Sequence, residues 1–500
     1  MDLYTSVATL FAILGALQLL LHYFRHARKL PPGPWPFPVI GNLHMLGKLP
    51  HQSLRKLAKT YGPIMSIHLG TVPAIVASSR EAADLFLKTH DRAFAGRPKT
   101  LAIEHVFYSG KGIAFTDYGP YWQNVRKLCI SQLFSPSKID RFGTMRKEGL
   151  CHLVRKIKDA AVAHQVVDIS APVEELMGDM SFRMILGSSF KDRSNLKAII
   201  HEGLRLAGTF NLADYMPLFR AFDLQGITQR SKEIHVSIDK VLEEIIDEHE
   251  RNDVESESVG VFVDVLLSMM NQSLDTDNNK LTVSLNRTNL KAILLDMITG
   301  SYESSSIAIN WAFSELLRNP HVMAQLQEEL NTVVGMDRMV EEADLMKLNY
   351  LEMVVKETLR LHPVEPLLLP HECKEDTVIN GYHIPKKSRI IVNVGAIGRD
   401  PKIWSGNAEE FIPERFIDND IDLKGHDFQL IPFGSGRRIC PGMVLGLINV
   451  QLVVAQLVHC FKWELPHGML PCELDMTEEY GMSCSRANHL LLKPTYRLLV

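Results

Sequence analysis

The 500-residue sequence has no C-x-x-C pair and no Cys/His cluster at zinc spacing. Its seven cysteines, at 129, 151, 373, 440, 460, 472 and 484, are an odd count spread widely through a large chain. That distribution suits a reducing compartment better than a disulfide framework. A basic excess is also missing: the net charge is −4, which gives no support to nucleic-acid binding. There is no internal repeat and no low-complexity tract. "GSGRR" lacks the setting of a G-x-G-x-x-G turn between a strand and a helix, so no flavin or nicotinamide fingerprint is present.

What is present is enough apolar sequence, 46%, to bury a large core. Leu3 to Phe24 is about the 20 apolar residues that span a bilayer, and Arg25 to Lys29 follow at once. The positive-inside rule then leaves the body in the cytosol. A cleaved signal peptide is disfavoured, because no basic region precedes the run and no small-residue cleavage site follows it. In "KLPPGPWPFPVIGNL" the prolines fix φ and remove donors, which predicts a stiff, extended connector. Residues 1–24 therefore read as a membrane anchor, 25–43 as a basic, proline-rich hinge and 44–500 as one large domain.

Beyond the hinge, "HQSLRKLAKTYG", "SREAADLFLKTH", "YWQNVRKLCISQLF", "SIDKVLEEIIDEHERN", "HVMAQLQEELNTVV" and "NYLEMVVKETLRLH" repeat apolar residues at i, i+3 and i+4. Strand-like runs are short: "IMSIHLG", "TVPAIVAS" and "SRIIVNV". The body is thus expected to be mainly α with small β-sheets. The polar stretch Asn271 to Asn289 reads as a mobile loop before a helix running from about Leu290 to Asn319. That helix would be roughly 45 Å long and stop before Pro320.

"FGSGRRICPG", Phe433 to Gly442, joins a glycine-rich loop to a long apolar helix. Gly434, Gly436 and Gly442 permit conformations and approaches that a side chain would block. Arg437 and Arg438, with amides near the helix start, are expected to favour the thiolate of Cys440. An isolated cysteine before an apolar helix is ordinarily a small buried hydrophobe. Here, however, the stretch resembles the haem-binding loop of the cytochrome P450 family, F-x-x-G-x-R-x-C-x-G, at Phe433, Gly436, Arg438, Cys440 and Gly442. The resemblance implies the cytochrome P450 fold, with haem (heme b, iron protoporphyrin IX) between a long central helix and the Cys-ligand loop. Cys440 is then the metal ligand, with Phe433, Arg438 and Gly442 among the cofactor contacts.

Two further stretches carry the same resemblance. In "YLEMVVKETLRLHP", Glu357 and Arg360 share a helical face, and with Arg415 of "PERF" they resemble the family's structural ion-pair triad. "YWQNVR" resembles the W-x-x-x-R helix, with Trp122 and Arg126 one turn apart and suited to a haem propionate. Arg438 and His371 resemble the other propionate contacts. "AIGRDPKIW", "PERF" and "HDFQLIPFGSGRR" are similar to the plant microsomal A-type, or clan 71, subgroup. One departure is Gly395, where tryptophan is expected; it implies an unfilled volume or a repacked neighbour.

The centre of the long helix, "GSYESSS" from Gly300 to Ser306, narrows an apolar stripe to small hydroxyl residues. It resembles the family segment [A/G]-G-x-[D/E]-T-[T/S], with Ser301 for the usual glycine and Ser304 for the usual threonine. Glu303 and Ser304 are the implied catalytic pair, a carboxylate and a hydroxyl able to relay protons to reduced dioxygen. Read alone, Ser304 and Ser305 also suit bonds back to i−4 carbonyls.

By resemblance, the pocket is lined from "AIEHVFYSG", "GTFNLADY", Ile293 to Met297, Val364 to Leu369 and Tyr480 to Cys484, mostly apolar with few fixed charges. The implied reaction is hydroxylation of a hydrophobic plant specialised metabolite, a terpenoid, a phenolic or biphenyl-like compound, or an aldoxime. O2 is the co-substrate and membrane-bound NADPH-cytochrome P450 reductase the electron donor, docking on a face that includes Arg126, Lys127 and Arg437. The implied location is the endoplasmic reticulum membrane, single-pass, with the catalytic domain cytosolic. Two other readings are an isomerase or dehydratase of the P450 type without O2 activation, and a non-catalytic haem-binding membrane protein.

Overall fold

Helices with one apolar stripe must bury it, and here they do so against each other and against small sheets. The computed structural model describes residues 29–187, 194–252, 260–272 and 285–499. The expected anchor at 3–24 lies outside the described residues, as does most of the polar stretch before the central helix. Six helices matter most for the site: α1 (Pro120–Gln132), α2 (Ser170–Leu186), α3 (Ile227–Asn252), α4 (Arg287–Arg318), α5 (Asn349–Leu361) and α6 (Met443–Cys460). The six stretches with helical spacing all fall in helices, although "SREAADLFLKTH" widens from α-helix into a π-turn at Leu85–Thr89.

The strand-like runs meet in one sheet. β1 (Ile64–Leu69), β2 (Val72–Ala77), β3 (His371–Glu372) and β4 (Arg389–Val392) lie in the order β1-β2-β4-β3, with β2 and β4 parallel. Residues 30–36 of the proline-rich stretch form neither helix nor strand, the chain then turns back at 38–40, and the stretch is docked and not free. Ser66 donates from N to the Pro32 carbonyl at 2.8 Å and from Oγ to Pro31 at 2.7 Å, while His68 N donates to Asn42 Oδ1 at 2.8 Å.

α4 is the axis of the molecule. It begins three residues earlier than the spacing suggests, because Asn286 and Asn289 form a reciprocal cap: each side-chain oxygen accepts the other's backbone N–H, at 3.0 and 3.2 Å. Those asparagines look like loop sequence and act as a helix start. α6 is long and apolar enough to cross a membrane, yet its second half is buried against neighbouring helices, α4 among them, as a core helix.

Glu357, on α5, is wholly buried and anchors the turns ahead of the cysteine loop. Arg360 grips it through Nε and Nη2 at 2.6 and 2.7 Å, Arg415 Nε adds a bond at 2.9 Å and Ile412 N another at 2.8 Å. Arg360 also donates to the carbonyls of Gly398, Ala408 and Glu410. One carboxylate thus holds two guanidinium groups and, through them, three turns of backbone. Nearby, the space beside Gly395 is closed: a Cβ there would lie 3.2 Å from Pro366 Cβ and 3.7 Å from His51 Cδ2. Repacked neighbours, not a void, replace the expected tryptophan.

Removing the carboxylate leaves buried cations without a counter-charge, so Glu357→Ala should cost about 3–5 kcal/mol. The urea midpoint of the variant checks this; an unchanged midpoint would show that the backbone carbonyls alone suffice.

Candidate active site

α4 and the loop that precedes α6 face each other across a cavity of about 340 Å³. Gly300, Ser301, Ser304 and Ala308 line it from the helix, and Phe433, Cys440 and Gly442 from the loop. The loop is tight because Gly436 has φ of +65° and packs on the backbone of the π-turn at Leu85–Thr89, where a Cβ would run into the Leu87 carbonyl oxygen. Cys440 N donates to the Phe433 carbonyl at 2.9 Å, and Arg126 Nη2 to the Ile439 carbonyl at 2.6 Å. Gly442 has ordinary φ, and a side chain there would touch only the Phe134 ring, at 3.5 Å. Its contribution is its amide.

Burial pushes the Cys440 thiol up, against the pull of the Gly442 and Met443 amides and of Arg126. The source of the positive field is therefore corrected. Arg437 turns away to Asp91 at 3.1 Å and Tyr118 Oη at 3.0 Å, and Arg438 reaches the carbonyls of Ala95 and Thr116. A thiol held up in this way becomes a thiolate when a metal cation binds it.

One wall of the cavity is cationic. Arg126 and Arg438 lie over the Trp122 ring, at 5.3 and 4.4 Å from its centroid. The Trp122 indole N–H donates to the Ile113 carbonyl at 2.9 Å, so the ring face, not the N–H, is what this residue offers the wall. Arg97, which no local pattern in the sequence marks, joins them through Ala114, Leu369 and Pro370 carbonyls at 2.6 to 3.0 Å. His371 Nδ1 meets the Phe94 carbonyl at 2.8 Å, and burial together with Arg97 pushes its pKa well below the usual imidazole value. Arg438 is pushed down to about 10 by burial, and its Nη1 is buried without a hydrogen-bond partner. Arg126 thus faces inward and is removed from the expected docking face, where Lys127 and Arg437 remain exposed.

On the helix side, three hydroxyls of the notch are tied back: Ser304 Oγ donates to the Gly300 carbonyl at 2.8 Å, Ser301 Oγ to the Ile298 carbonyl at 3.1 Å and Ser306 Oγ to the Glu303 carbonyl at 2.8 Å. Glu303 also lines the cavity, and burial is the main force raising its pKa, opposed by His201. Four of the five expected lining regions contribute, through Phe107, Met297, Val364 and Met482 among others; in place of "GTFNLADY" the nearest contribution comes from Leu204. The lining is less apolar than its sequence suggests, because Glu365 and Asp296 also face the cavity. Asp296 accepts the Ile113 and Ala114 amides at 2.6 and 2.9 Å and so pins the loop that carries the cationic wall to α4.

The cytochrome P450 family model matches residues 31–491. Among curated proteins, the chain is 52% identical over 493 residues to cytochrome P450 CYP736A12 of Panax ginseng, covering 98% of each. It is 40% identical to premnaspirodiene oxygenase of Hyoscyamus muticus, covering 98% of each, and 40% identical to flavonoid 3'-monooxygenase of Petunia hybrida, covering 96% of each. Its fold is similar to that of a zebra fish cytochrome P450 solved with progesterone, with a TM-score of 0.76 at 25% identity over 89% of this chain and 99% of that one. A likeness that spans nearly the whole length, in sequence as in fold, makes this chain a member of the cytochrome P450 family, the monooxygenases that work with heme b.

Proposed function

We propose that the protein inserts one atom of O2 into a hydrophobic plant specialised metabolite of terpenoid or phenolic type, with electrons from NADPH-cytochrome P450 reductase. The observation that carries this reading is the facing of the Cys440 thiol and the Glu303–Ser304 notch across a single cavity. Relatives named premnaspirodiene oxygenase and flavonoid 3'-monooxygenase support the substrate class. Residues 1–24 anchor the chain in the endoplasmic reticulum membrane, 25–43 form the hinge, and 44–500 form the cytosolic catalytic domain. Lys127 and Arg437 lie on the face offered to the reductase.

Haem fits the residues present. Cys440 Sγ would hold the iron, and the unpartnered Nη1 of Arg438, with Arg126, Arg97 and His371, would hold the propionates. A propionate beside His371 would oppose the field of Arg97, which adds to burial in keeping its imidazole neutral. When bound, the haem supplies the redox chemistry that activates O2.

The chain's own part in that chemistry is proton delivery, since splitting dioxygen consumes two protons. Glu303, its carboxyl raised by burial, holds a proton closer to neutral pH than a solvated glutamate. Ser304 gives its hydroxyl hydrogen to Gly300, which leaves its lone pairs to accept. Rotation of the hydroxyl passes the proton on, and the carboxyl restores it through water.

In membrane discs with the reductase, ¹⁸O2 should label the product with one ¹⁸O atom; turnover that is independent of O2 would favour the isomerase reading. Ser304→Ala should lower product formed per NADPH consumed several-fold. Ser304→Thr should keep it, whereas equal coupling in all three proteins would leave Ser304 with its helix bond alone. Raising pH empties the Glu303 store, so coupling should fall with rising pH in the wild type and lose that dependence in Glu303→Gln.

A further inference from the structure

One ionisable group in the cavity has no part in oxygen activation. Glu365 follows α5, in a turn closed by Leu368 N on its own carbonyl at 2.9 Å. Its Oε1 accepts from Ser483 Oγ at 2.8 Å, and its Oε2 takes no hydrogen bond from any described residue. The side chain is enclosed by protein yet keeps open surface, because it faces the cavity beside Val364, Leu368 and Met482.

Burial pushes this carboxyl up to about 8, with a further rise from Glu303 and an opposing pull from the Ser483 bond. The titratable groups that face it are Glu303 on α4 and Tyr480 and Cys484 on the last hairpin, and burial raises all three. No cation among the described residues acts on it, so at neutral pH it keeps its proton and is a donor. A donor on an apolar wall is costly unless something accepts from it.

We infer that Glu365 is a specificity-determining residue whose free carboxyl oxygen hydrogen-bonds an oxygen atom of the substrate. The enzyme then selects hydrophobic compounds that already carry a carbonyl, hydroxyl or ether oxygen over plain hydrocarbons. This rests on the reading of the cavity as the substrate site of a haem enzyme.

The test uses the full-length holoenzyme and imidazoles, which dock on the iron through nitrogen and report binding by the shift of the main haem absorption band. 1-Alkylimidazoles of graded chain length are compared with counterparts ending in a hydroxyl or a ketone. At the length that reaches Glu365, the oxygen-bearing probes should bind about fivefold or more tightly than the alkyl probe, the size of one buried hydrogen bond. Glu365→Gln should keep this preference and Glu365→Leu should lose it. The ketone only accepts, so in the wild type its advantage should fall as pH rises through about 8, where the carboxyl loses its proton, and Glu365→Gln should abolish that pH dependence. The inference is overturned if no oxygen-bearing probe gains at any length, if Glu365→Leu keeps the preference, or if the ketone's advantage ignores pH. Should Glu365→Leu fail to fold, the pH comparison with Glu365→Gln still decides. Loss of the haem spectrum from the wild type would instead defeat the proposed function.

Discussion

Three guanidinium groups, Arg97, Arg126 and Arg438, are drawn out of water onto one wall and held there mainly by backbone carbonyls. Carbonyls satisfy N–H groups but supply no net negative charge, and a buried cation costs several kcal/mol when its charge is unmatched. The same bonds clamp four pieces of chain together: the turn at Ala95, the loop at Ala114 and Thr116, the segment at Leu369 and Pro370, and the cysteine loop at Ile439. The wall therefore sets where Cys440 stands, and on the proposed function an anionic, flat group would complete it, bringing both charge and acceptors. Binding such a group stabilises the fold by mass action.

A division of labour inside the cavity follows. On the proposed function the cationic wall and the sulfur would hold the cofactor, and the same cavity carries two carboxyl groups, Glu303 and Glu365, both raised by burial. Glu303 lies in the hydroxyl-bearing notch of α4, suited to proton delivery, and Glu365 lies among apolar side chains, suited to selection.

Much of this was legible in the sequence where function is local. The glycine spacing around Cys440, the Glu357 and Arg360 pair on one helical face and the small residues at Gly300 each act within one turn or one helix. What was hidden depends on tertiary packing. Arg97 sits in a loop with no periodicity, and only the fold carries it to Arg438. Glu365 stands in a run that reads as apolar lining, and its burial, not its identity, gives it a proton at neutral pH. Spacing puts Trp122 and Arg126 one turn apart and the structure sets Arg126 over the Trp122 ring, yet the indole N–H goes to Ile113, which spacing cannot show. Asn286 and Asn289 carry a loop signature in the sequence, and their value lies in the reciprocal cap that only the folded chain forms.

The central claim, that Cys440 presents its sulfur to haem iron, is tested most directly by the carbon-monoxide difference spectrum of the reduced protein. The account predicts a thiolate-type spectrum in the wild type and in Cys129→Ser, and its loss in Cys440→Ser. A thiolate-type spectrum that persists in Cys440→Ser would contradict it.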